Sequence, residues 1–335
     1  MYPTYSQEHA ARKPAGKWLA GVWLLLFVVG LIGVYDRLAE GHLDARYGSY
    51  VTWGLWVAGY IYFIGLSAGA FLISSLVYGF GLKKLEMIGK LALFTAVTTL
   101  FMALLSIWFD LGHMGRFYYI FLRPNFSSMM AWMVWLYTAY FILLLSELWL
   151  ALRPDLLRQA KEEGLGGAIA RVLLFGRTEA TEEQLARGRK RLRVLALIGI
   201  PLAIAFHGGV GALFGTVVAR PYWHTPLYPI LFLTGALVSG GALLTAVVAF
   251  FWPTRDETYR ETLRFLSRIV LGLLAFDLLL EFAEYTIPMW YGVGPEHELL
   301  HAVLFGRFWW VFWVFHILLG SAIPLYLLLA RSDSP

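Results

Sequence analysis

The sequence predicts an all-α integral membrane protein with about eight transmembrane helices in two four-helix bundles. The chain of 335 residues is 59% apolar and 17% aromatic, and only 15% of its residues are charged, against about 25% in soluble domains. Long apolar runs recur along it, each able to cross a hydrocarbon core of about 30 Å as a helix. These runs are unbroken and do not alternate with polar residues, so helices are favoured over a membrane β-barrel.

Eight such runs follow one another along the chain. The predicted spans cover residues 17–35, 53–80, 86–112, 127–152, 191–219, 225–252, 265–290 and 303–331. The segment 153–190 is the only long polar connection between them. It divides the chain into a first bundle within residues 1–152, a cytoplasmic linker of residues 153–190 and a second bundle within residues 191–335.

Basic residues are distributed unevenly between the predicted spans, and cytoplasmic loops generally carry more of them. With the N-terminus in the cytoplasm, the outer segments contain only a small part of the 27 Lys and Arg residues. That part consists of Arg37, Arg46, Arg116, Arg123, Arg220 and Arg307. The pattern predicts a multi-pass protein of the inner (cytoplasmic) membrane with both termini in the cytoplasm.

Composition also excludes several kinds of partner and cofactor. The chain has no cysteine, so it cannot provide thiolates for an iron–sulfur cluster or a zinc site. Its net charge of +5 comes from loop residues and not from one basic face, which argues against a nucleic-acid partner. The cluster of Glu296, His297, Glu298 and His301 resembles a metal site only superficially. We predict no metal there and interpret residues 292–301 as a loop that docks a partner.

Three carboxylates lie in the seventh predicted span. Asp277, Glu281 and Glu284 are spaced i, i+4 and i+7, which places them on one face of a helix; we call them the acidic stripe. An ionisable group in the hydrocarbon costs about 2.5–3.5 kcal/mol, so such a group indicates function. Mutual repulsion and desolvation favour bound protons, and the stripe therefore predicts a proton relay. The competing interpretation is that the stripe pairs with neighbouring helices and holds the bundle together.

Two histidines lie about halfway along the fifth and eighth predicted spans. His207 and His316 would sit at similar depth, and their imidazoles would extend the relay, because histidine titrates near neutrality. They would also suit the two axial positions of a b-type haem. A third interpretation is that each forms a hydrogen bond with a neighbouring helix. The relay is the interpretation that we prefer.

Aromatic and polar side chains concentrate where the second predicted span begins and the third ends. Trp56 and Tyr60 lie at the start of the second span, while Asp110, His113 and Arg116 lie at or just beyond the end of the third. A quinone ring stacks on aromatic rings, and its oxygens exchange protons with carboxylate and imidazole groups. These residues predict a quinone site at the outer surface. The alternatives are an aromatic belt at the membrane surface and an ion pair between Asp110 and Arg116.

An ordered series of motifs runs from Trp53 to Pro324. It comprises Trp53-Gly-Leu-Trp56, Phe63-Ile-Gly-Leu-Ser-Ala-Gly69, Asp110-Leu-Gly-His-Met-Gly-Arg116, Pro124-Asn125, Ser127-Ser-Met-Met-Ala-Trp132, Ala205-Phe-His207, Tyr222-Trp-His-Thr225, Pro229, Ser239-Gly240, Gly320 and Pro324. This series resembles that of the NrfD family, the membrane subunits of polysulfide-reductase-like complexes. The resemblance covers most of residues 50–330.

The resemblance implies a haem-free anchor subunit of a respiratory oxidoreductase, inactive alone. Such a subunit exchanges electrons between membrane quinone, including menaquinone, and a ferredoxin-like iron–sulfur subunit at its outer face. The complex also has a catalytic subunit, for which molybdopterin is one candidate cofactor, and proton translocation would conserve energy. The implied quinone site lies in the first bundle and supports Trp56, Tyr60, Asp110 and His113. Ser67 is included among the predicted quinone-binding residues, because some relatives have a histidine ligand where this chain has Ser67. Many relatives have a carboxylate where this chain has His316.

The residues are also compatible with two other functions. An ion-coupled secondary transporter would suit eight helices, midplane carboxylates and a weak repeat between residues 67–72 and 239–244. Such transporters interrupt helices at the midplane, whereas the seventh span has no proline before Pro288. A b-haem electron carrier is the other alternative, and its visible absorption would reveal it.

Overall fold

The structure is a computed structural model that describes residues 15–43, 45, 47–48, 51, 53–82, 86–252 and 255–330. In these ranges all regular structure is helical. The helices are α1 (Ala15–Glu40), α2 (Leu55–Tyr78), α3 (Glu86–Asp110), α4 (Tyr119–Leu122), α5 (Met129–Gln159), α6 (Leu165–Leu173), α7 (Glu182–Gly215), α8 (Tyr228–Phe251), α9 (Glu257–Tyr291), α10 (Pro295–Phe305), a π-helix (Val311–Ala322) and α11 (Ile323–Ala330). A 3₁₀ turn covers Met114–Arg116.

Seven helical segments in the described part of the chain are long and apolar enough to cross a membrane. They are Trp18–Glu40, Leu55–Tyr78, Ile88–Asp110, Met129–Gln159, Glu182–Gly215, Tyr228–Phe251 and Val311–Ala330. The predicted all-α membrane fold is therefore confirmed, but the count of eight is not. The remaining predicted span, 265–290, lies within α9, which is 35 residues long but less apolar because it carries the acidic stripe.

Helix ends differ from the predicted spans on both sides of the polar connection. Helix α5 continues to Gln159, through Pro154, and α7 begins at Glu182 after a capping box formed by Thr181 and Gln184. With α6 between them, most of the predicted linker is helical. Hydropathy identifies only the part of a helix that contacts hydrocarbon. Arg, Lys and Glu are good helix formers in water, so a helix can continue through a charged segment beyond the membrane.

The last predicted span, 303–331, is interrupted in the structure. Helix α10 ends before Gly306, where a Cβ atom would approach the Ala302 carbonyl oxygen to 2.2 Å. The chain then continues as the π-helix Val311–Ala322, whose i→i+5 hydrogen bonds widen it. The prediction that residues 292–301 form a loop was likewise wrong from Pro295 onward, because these residues form α10; their docking of a partner stays a prediction.

Helix α2 is the most enclosed of the seven segments. Buried residues make up 67% of its most apolar part and none of the corresponding part of α1. It packs against α3, α7 and α8, and Gly69 of α2 meets Gly240 of α8 so closely that a Cβ on Gly69 would lie 2.6 Å from the Gly240 Cα. Small residues permit such crossings, which is a sufficient reason for the similar segments 67–72 and 239–244. Helices from both halves of the chain meet at α2, and the division into two bundles stays a prediction.

Long helices alternate in direction, so the molecule has two ends. Helix α3 ends at one of them, which we call the Asp110 end. Helices α2, α5 and α8 begin at this end. At the opposite end, which we call the Lys90 end, Lys90 of α3 forms an ion pair with Asp155 of α5. The charge pattern predicts that the Asp110 end faces the outside.

Candidate functional site

Asp110 is held by a tyrosine from the segment between α1 and α2. The Tyr47 hydroxyl donates to Asp110 Oδ1 at 3.0 Å. Burial, and then the hydrogen bond with the Asp110 carboxylate, raise the pKa of Tyr47. Buried Arg37 of α1 fixes the end of α3 by donating to the Phe109 and Leu111 carbonyl oxygens at 2.7 and 2.8 Å. Among the described residues, Asp110 is thus bonded to Tyr47 and not to Arg116, which is exposed.

The six residues predicted to bind quinone do not form one contiguous group. Trp56 packs on Phe109 with ring centroids 5.1 Å apart, beside Asp110. His113 and Arg116 are exposed at the same end. The other two lie deeper between the helices: the Tyr60 hydroxyl is hydrogen-bonded to that of Tyr137, and Ser67 donates to the Ala96 carbonyl oxygen at 2.8 Å. We call Tyr47, Trp56, Phe109 and Asp110 together the Asp110 face.

A cavity of about 460 Å³ lies on another side of α2, between α2, α7, α8 and α9; we call it the α9 cavity. Trp53 and Trp223 form its aromatic wall, nearly parallel at 9° and 5.7 Å apart, and Phe214 packs edge-on against both. The acidic stripe and Tyr285 line the opposite wall. The structure therefore brings stacked rings and carboxylates together in one cavity.

The acidic stripe has partners from two other helices. Glu281 Oε2 lies 3.1 Å from His316 Nε2 of the π-helix, and the Thr234 hydroxyl of α8 donates to Asp277 Oδ1 at 2.7 Å. At the Asp110 end, burial and then the neighbouring Tyr285 raise the pKa of the Tyr222 hydroxyl well above its ordinary value. The contact of Glu281 with His316 brings together two residues of the predicted relay, whose role in proton transfer stays a prediction.

His207 lies elsewhere in the molecule. It is buried, and its ring nitrogens lie 3.0 Å from the Ile64 carbonyl oxygen of α2 and 3.2 Å from the Ala203 carbonyl oxygen of its own helix. His316 instead contacts Glu281. The two histidines are thus engaged with different helices, and their geometry gives no support to paired axial ligation of a haem.

One buried carboxyl group was missed by the sequence reasoning. Glu147 of α5 is fully buried, and neither of its carboxyl oxygens has a hydrogen-bond partner among the described residues. Its signal was present, because it is an ionisable residue within the predicted span 127–152, and the rule that selected the acidic stripe applies to it equally. Tyr47, in contrast, gave no signal, since its pairing with Asp110 joins segments 63 residues apart.

Metal coordination is not indicated by the described side chains. Across the described ranges, no group of three His, Cys, Asp or Glu residues is arranged to hold a metal ion. His297 and His301 lie one turn apart on α10, with ring centroids separated by 6.1 Å. Their arrangement is that of neighbours on a helix surface.

Comparison with known proteins identifies the family. The family described as polysulphide reductase, NrfD, matches residues 46–334. The chain is 38% identical to a selenate reductase subunit of Mesobacillus selenatarsenatis, over 90% of this chain and 72% of that protein. It is 30% identical to a putative dimethyl sulfoxide reductase membrane subunit of Halobacterium salinarum, over 97% and 74%. It is 28% identical to the Hdr-like menaquinol oxidoreductase integral membrane subunit of Archaeoglobus fulgidus, over 91% and 70%. The chain therefore belongs to the NrfD family, which confirms the resemblance of its motif series.

Proposed function

We propose that this chain is the membrane anchor of a respiratory oxidoreductase and exchanges electrons between membrane quinol and an iron–sulfur subunit docked at the Asp110 end. The names of its relatives support this: one is a menaquinol oxidoreductase membrane subunit, and two others are each named as one subunit of a reductase, which implies further subunits. The partners would be a ferredoxin-like iron–sulfur subunit and a catalytic subunit, for which molybdopterin is one candidate cofactor. Because this chain has no cysteine, electrons pass between the quinone ring and a cluster held by the partner.

The observation that carries the proposal is the concentration of stacked rings and proton-exchanging groups at the Asp110 end. Ligand sites typically enclose about 300–1,000 Å³ and combine apolar walls with a few polar groups, and the α9 cavity of about 460 Å³ has both. The Asp110 face adds a hydroxyl–carboxylate pair beside Trp56. Aromatic side chains would orient the ring, and carboxylates would exchange the two protons that accompany two electrons.

The ring has two candidate positions on different sides of α2. We assign it to the Asp110 face, where exposed His113 and Arg116 lie nearby and the surface is open to a partner. The α9 cavity is the second candidate, and its volume favours it. A paired set of variants distinguishes the two.

Binding of a quinol-site inhibitor should quench the fluorescence of the 14 tryptophans saturably in the purified wild type. Asp110→Asn replaces the carboxylate that accepts from Tyr47 by a neutral amide that cannot exchange a proton. It should weaken binding by about tenfold, the effect of about 1.4 kcal/mol, and His113→Ala should weaken it as well. Asp277→Asn, the matched change in the α9 cavity, should leave the inhibitor Kd unchanged.

Each other outcome of the quenching experiment has a definite meaning. Weakening by Asp277→Asn alone would move the ring to the α9 cavity and overturn the assignment to the Asp110 face. No saturable quenching in a folded wild type would overturn the quinone function and favour the ion-coupled transporter. A haem band in the visible spectrum of the same sample would instead favour the b-haem carrier.

The membrane orientation is a second testable part of the proposal, in which the Asp110 end faces outward and the Lys90 end faces the cytoplasm. Because the chain has no cysteine, single substitutions Val218→Cys and Glu163→Cys introduce one thiol each at exposed positions. A membrane-impermeant maleimide applied to intact cells, or to spheroplasts if an outer membrane is present, should label only the first. Labelling of only the second would reverse the orientation.

A further inference from the structure

We propose that Glu147 is a proton-carrying residue that exchanges a proton between the quinone site and the Lys90 end through the helices of the first half of the chain. The inference rests on the proposed quinone function. It is independent of the acidic stripe, because Glu147 lies on α5 and the stripe on α9.

The burial of Glu147 indicates that it holds a proton. The side chain is completely enclosed, and in the described part of the chain both carboxyl oxygens lack a hydrogen-bond partner. An ionised carboxylate without a partner is very unfavourable in such surroundings, and the neutral acid is the form that such a site tolerates. A glutamate with a purely structural role would be expected to satisfy its oxygens with donors from neighbouring helices.

Tyrosine side chains lie between Glu147 and the Asp110 end, and the Tyr140 hydroxyl has no hydrogen-bond partner among the described residues. Tyr140 and Tyr137 precede Glu147 by seven and ten residues, so at 3.6 residues per turn all three share one face of α5. The Tyr137 hydroxyl is hydrogen-bonded to that of Tyr60 on α2, one turn below Trp56. Phe206 of α7 packs against both tyrosine rings of α5, at 4.4 and 5.0 Å, and encloses them.

On its other side, Glu147 is followed by charged groups that reach water. Asp155 lies eight residues further along α5 and pairs with Lys90 of α3 and with Arg158. Lys90 and Asp155 retain 42% and 36% side-chain exposure. Among basic residues near this end, Arg193 of α7 donates to the Gly79 carbonyl oxygen at 3.2 Å and Arg171 of α6 to that of Ala160 at 2.9 Å, so both are engaged with backbone groups.

The helical rise sets the length of each step. Along α5, Glu147 is about 10 Å from Tyr140 and about 12 Å from Asp155, at about 1.5 Å per residue. These steps exceed a hydrogen bond, so transfer requires bridging water or rotation of the glutamate side chain. The carboxyl group of Glu147 thus lies on α5 between the buried tyrosines and the hydrated end of the helix.

The proton balance can be written for quinol oxidation. Quinol loses two electrons to the iron–sulfur partner and two protons. One proton passes through Asp110 to water at the Asp110 end, and the other enters at the Tyr60–Tyr137 pair. The tyrosines receive one proton and pass one on, so they end unchanged. The O–H bond of Glu147 breaks as its proton passes to water at the Lys90 end, and a new O–H bond forms with the proton from the tyrosines. Quinone reduction reverses each step.

Infrared difference spectroscopy of the purified chain through a pH step tests the protonation of Glu147. Wild type should show a carboxylic-acid C=O band that shifts in D₂O, is lost in Glu147→Gln and is displaced in Glu147→Asp. Glu163→Gln, at an exposed position, is the matched control and should retain the band. A spectrum of Glu147→Gln identical to wild type would overturn the inference.

Turnover of the complete complex tests the transfer itself. Glu147→Gln should slow quinol-driven proton transfer at least tenfold with an unchanged inhibitor Kd, and Glu147→Asp should restore part of the rate. Should the glutamine variant not assemble, displacement of the band and a reduced rate in Glu147→Asp decide the question. If the wild type binds the inhibitor and the Glu147 variants transfer protons at its rate, only the role of Glu147 is overturned. If the wild type does not bind the inhibitor, the proposed quinone function is overturned.

Discussion

Replacing Glu281 by glutamine should abolish proton translocation by the reconstituted complex while inhibitor binding at the Asp110 face is retained. Glu281 lines the α9 cavity and lies 3.1 Å from His316, so it is placed to pass a proton between the cavity and the π-helix. Glutamine preserves the shape of the side chain but cannot take up a proton. Loss of a positioned proton-transfer group typically costs a factor of about 10²–10⁴ in rate.

The measurement is quinol-driven pH change in proteoliposomes that contain the whole complex. Glu298→Gln, at an exposed position of α10, is the matched control and should preserve the ratio of protons to electrons. An unchanged ratio in Glu281→Gln would show that the acidic stripe serves helix packing and not proton transfer. A changed ratio in both variants would mean that the effect does not depend on the contact with His316.

Replacing Gly69 by valine should prevent the chain from reaching its folded state. The Cβ atom of any side chain at Gly69 would lie 2.5 Å from the Ala236 carbonyl oxygen and 2.6 Å from the Gly240 Cα. Both are backbone atoms that cannot rotate away, so α2 and α8 would have to separate. Overpacking of a core costs about 1–3 kcal/mol and occasionally more, and a clash between two backbones belongs at the upper end.

The yield of monodisperse protein in size-exclusion chromatography measures this effect. Gly272→Val provides the control, because a Cβ at that position of α9 meets nothing within 4 Å. The control should elute as wild type, whereas Gly69→Val should aggregate or be degraded. Normal elution of Gly69→Val with retained inhibitor binding would contradict the close approach of α2 and α8.

The sequence predicted the membrane helices well because hydropathy directly reports the residues that meet hydrocarbon. It predicted the helix ends poorly for the same reason. The charged turns of α5 beyond residue 152 and of α7 before residue 191 lie outside the hydrocarbon, so their composition does not distinguish helix from loop. The break at Gly306 was missed because apolar residues continue on both sides of it.

Helical spacing predicted which site residues share a face, but not what that face contacts. Asp277, Glu281 and Glu284 do line one cavity, as their i, i+4, i+7 spacing requires. The pairing of Tyr47 with Asp110 joins distant segments and leaves no local pattern in the sequence. Glu147 could have been identified from its position in a predicted span, but its lack of partners among the described residues becomes visible only when the surrounding helices are in place.

The contact of Gly69 with Gly240 has a consequence for the synthesis of the protein. Helix α2 enters the membrane about 170 residues before α8 is complete, a delay of about 10–30 s at about 5–20 residues per second. During this interval the small-residue surface of α2 has no partner from its own chain and faces lipid or the insertion machinery. Mutations that slow insertion of the later helices should therefore expose α2 to proteolysis and lower the amount of mature protein, even where they leave the finished structure unchanged.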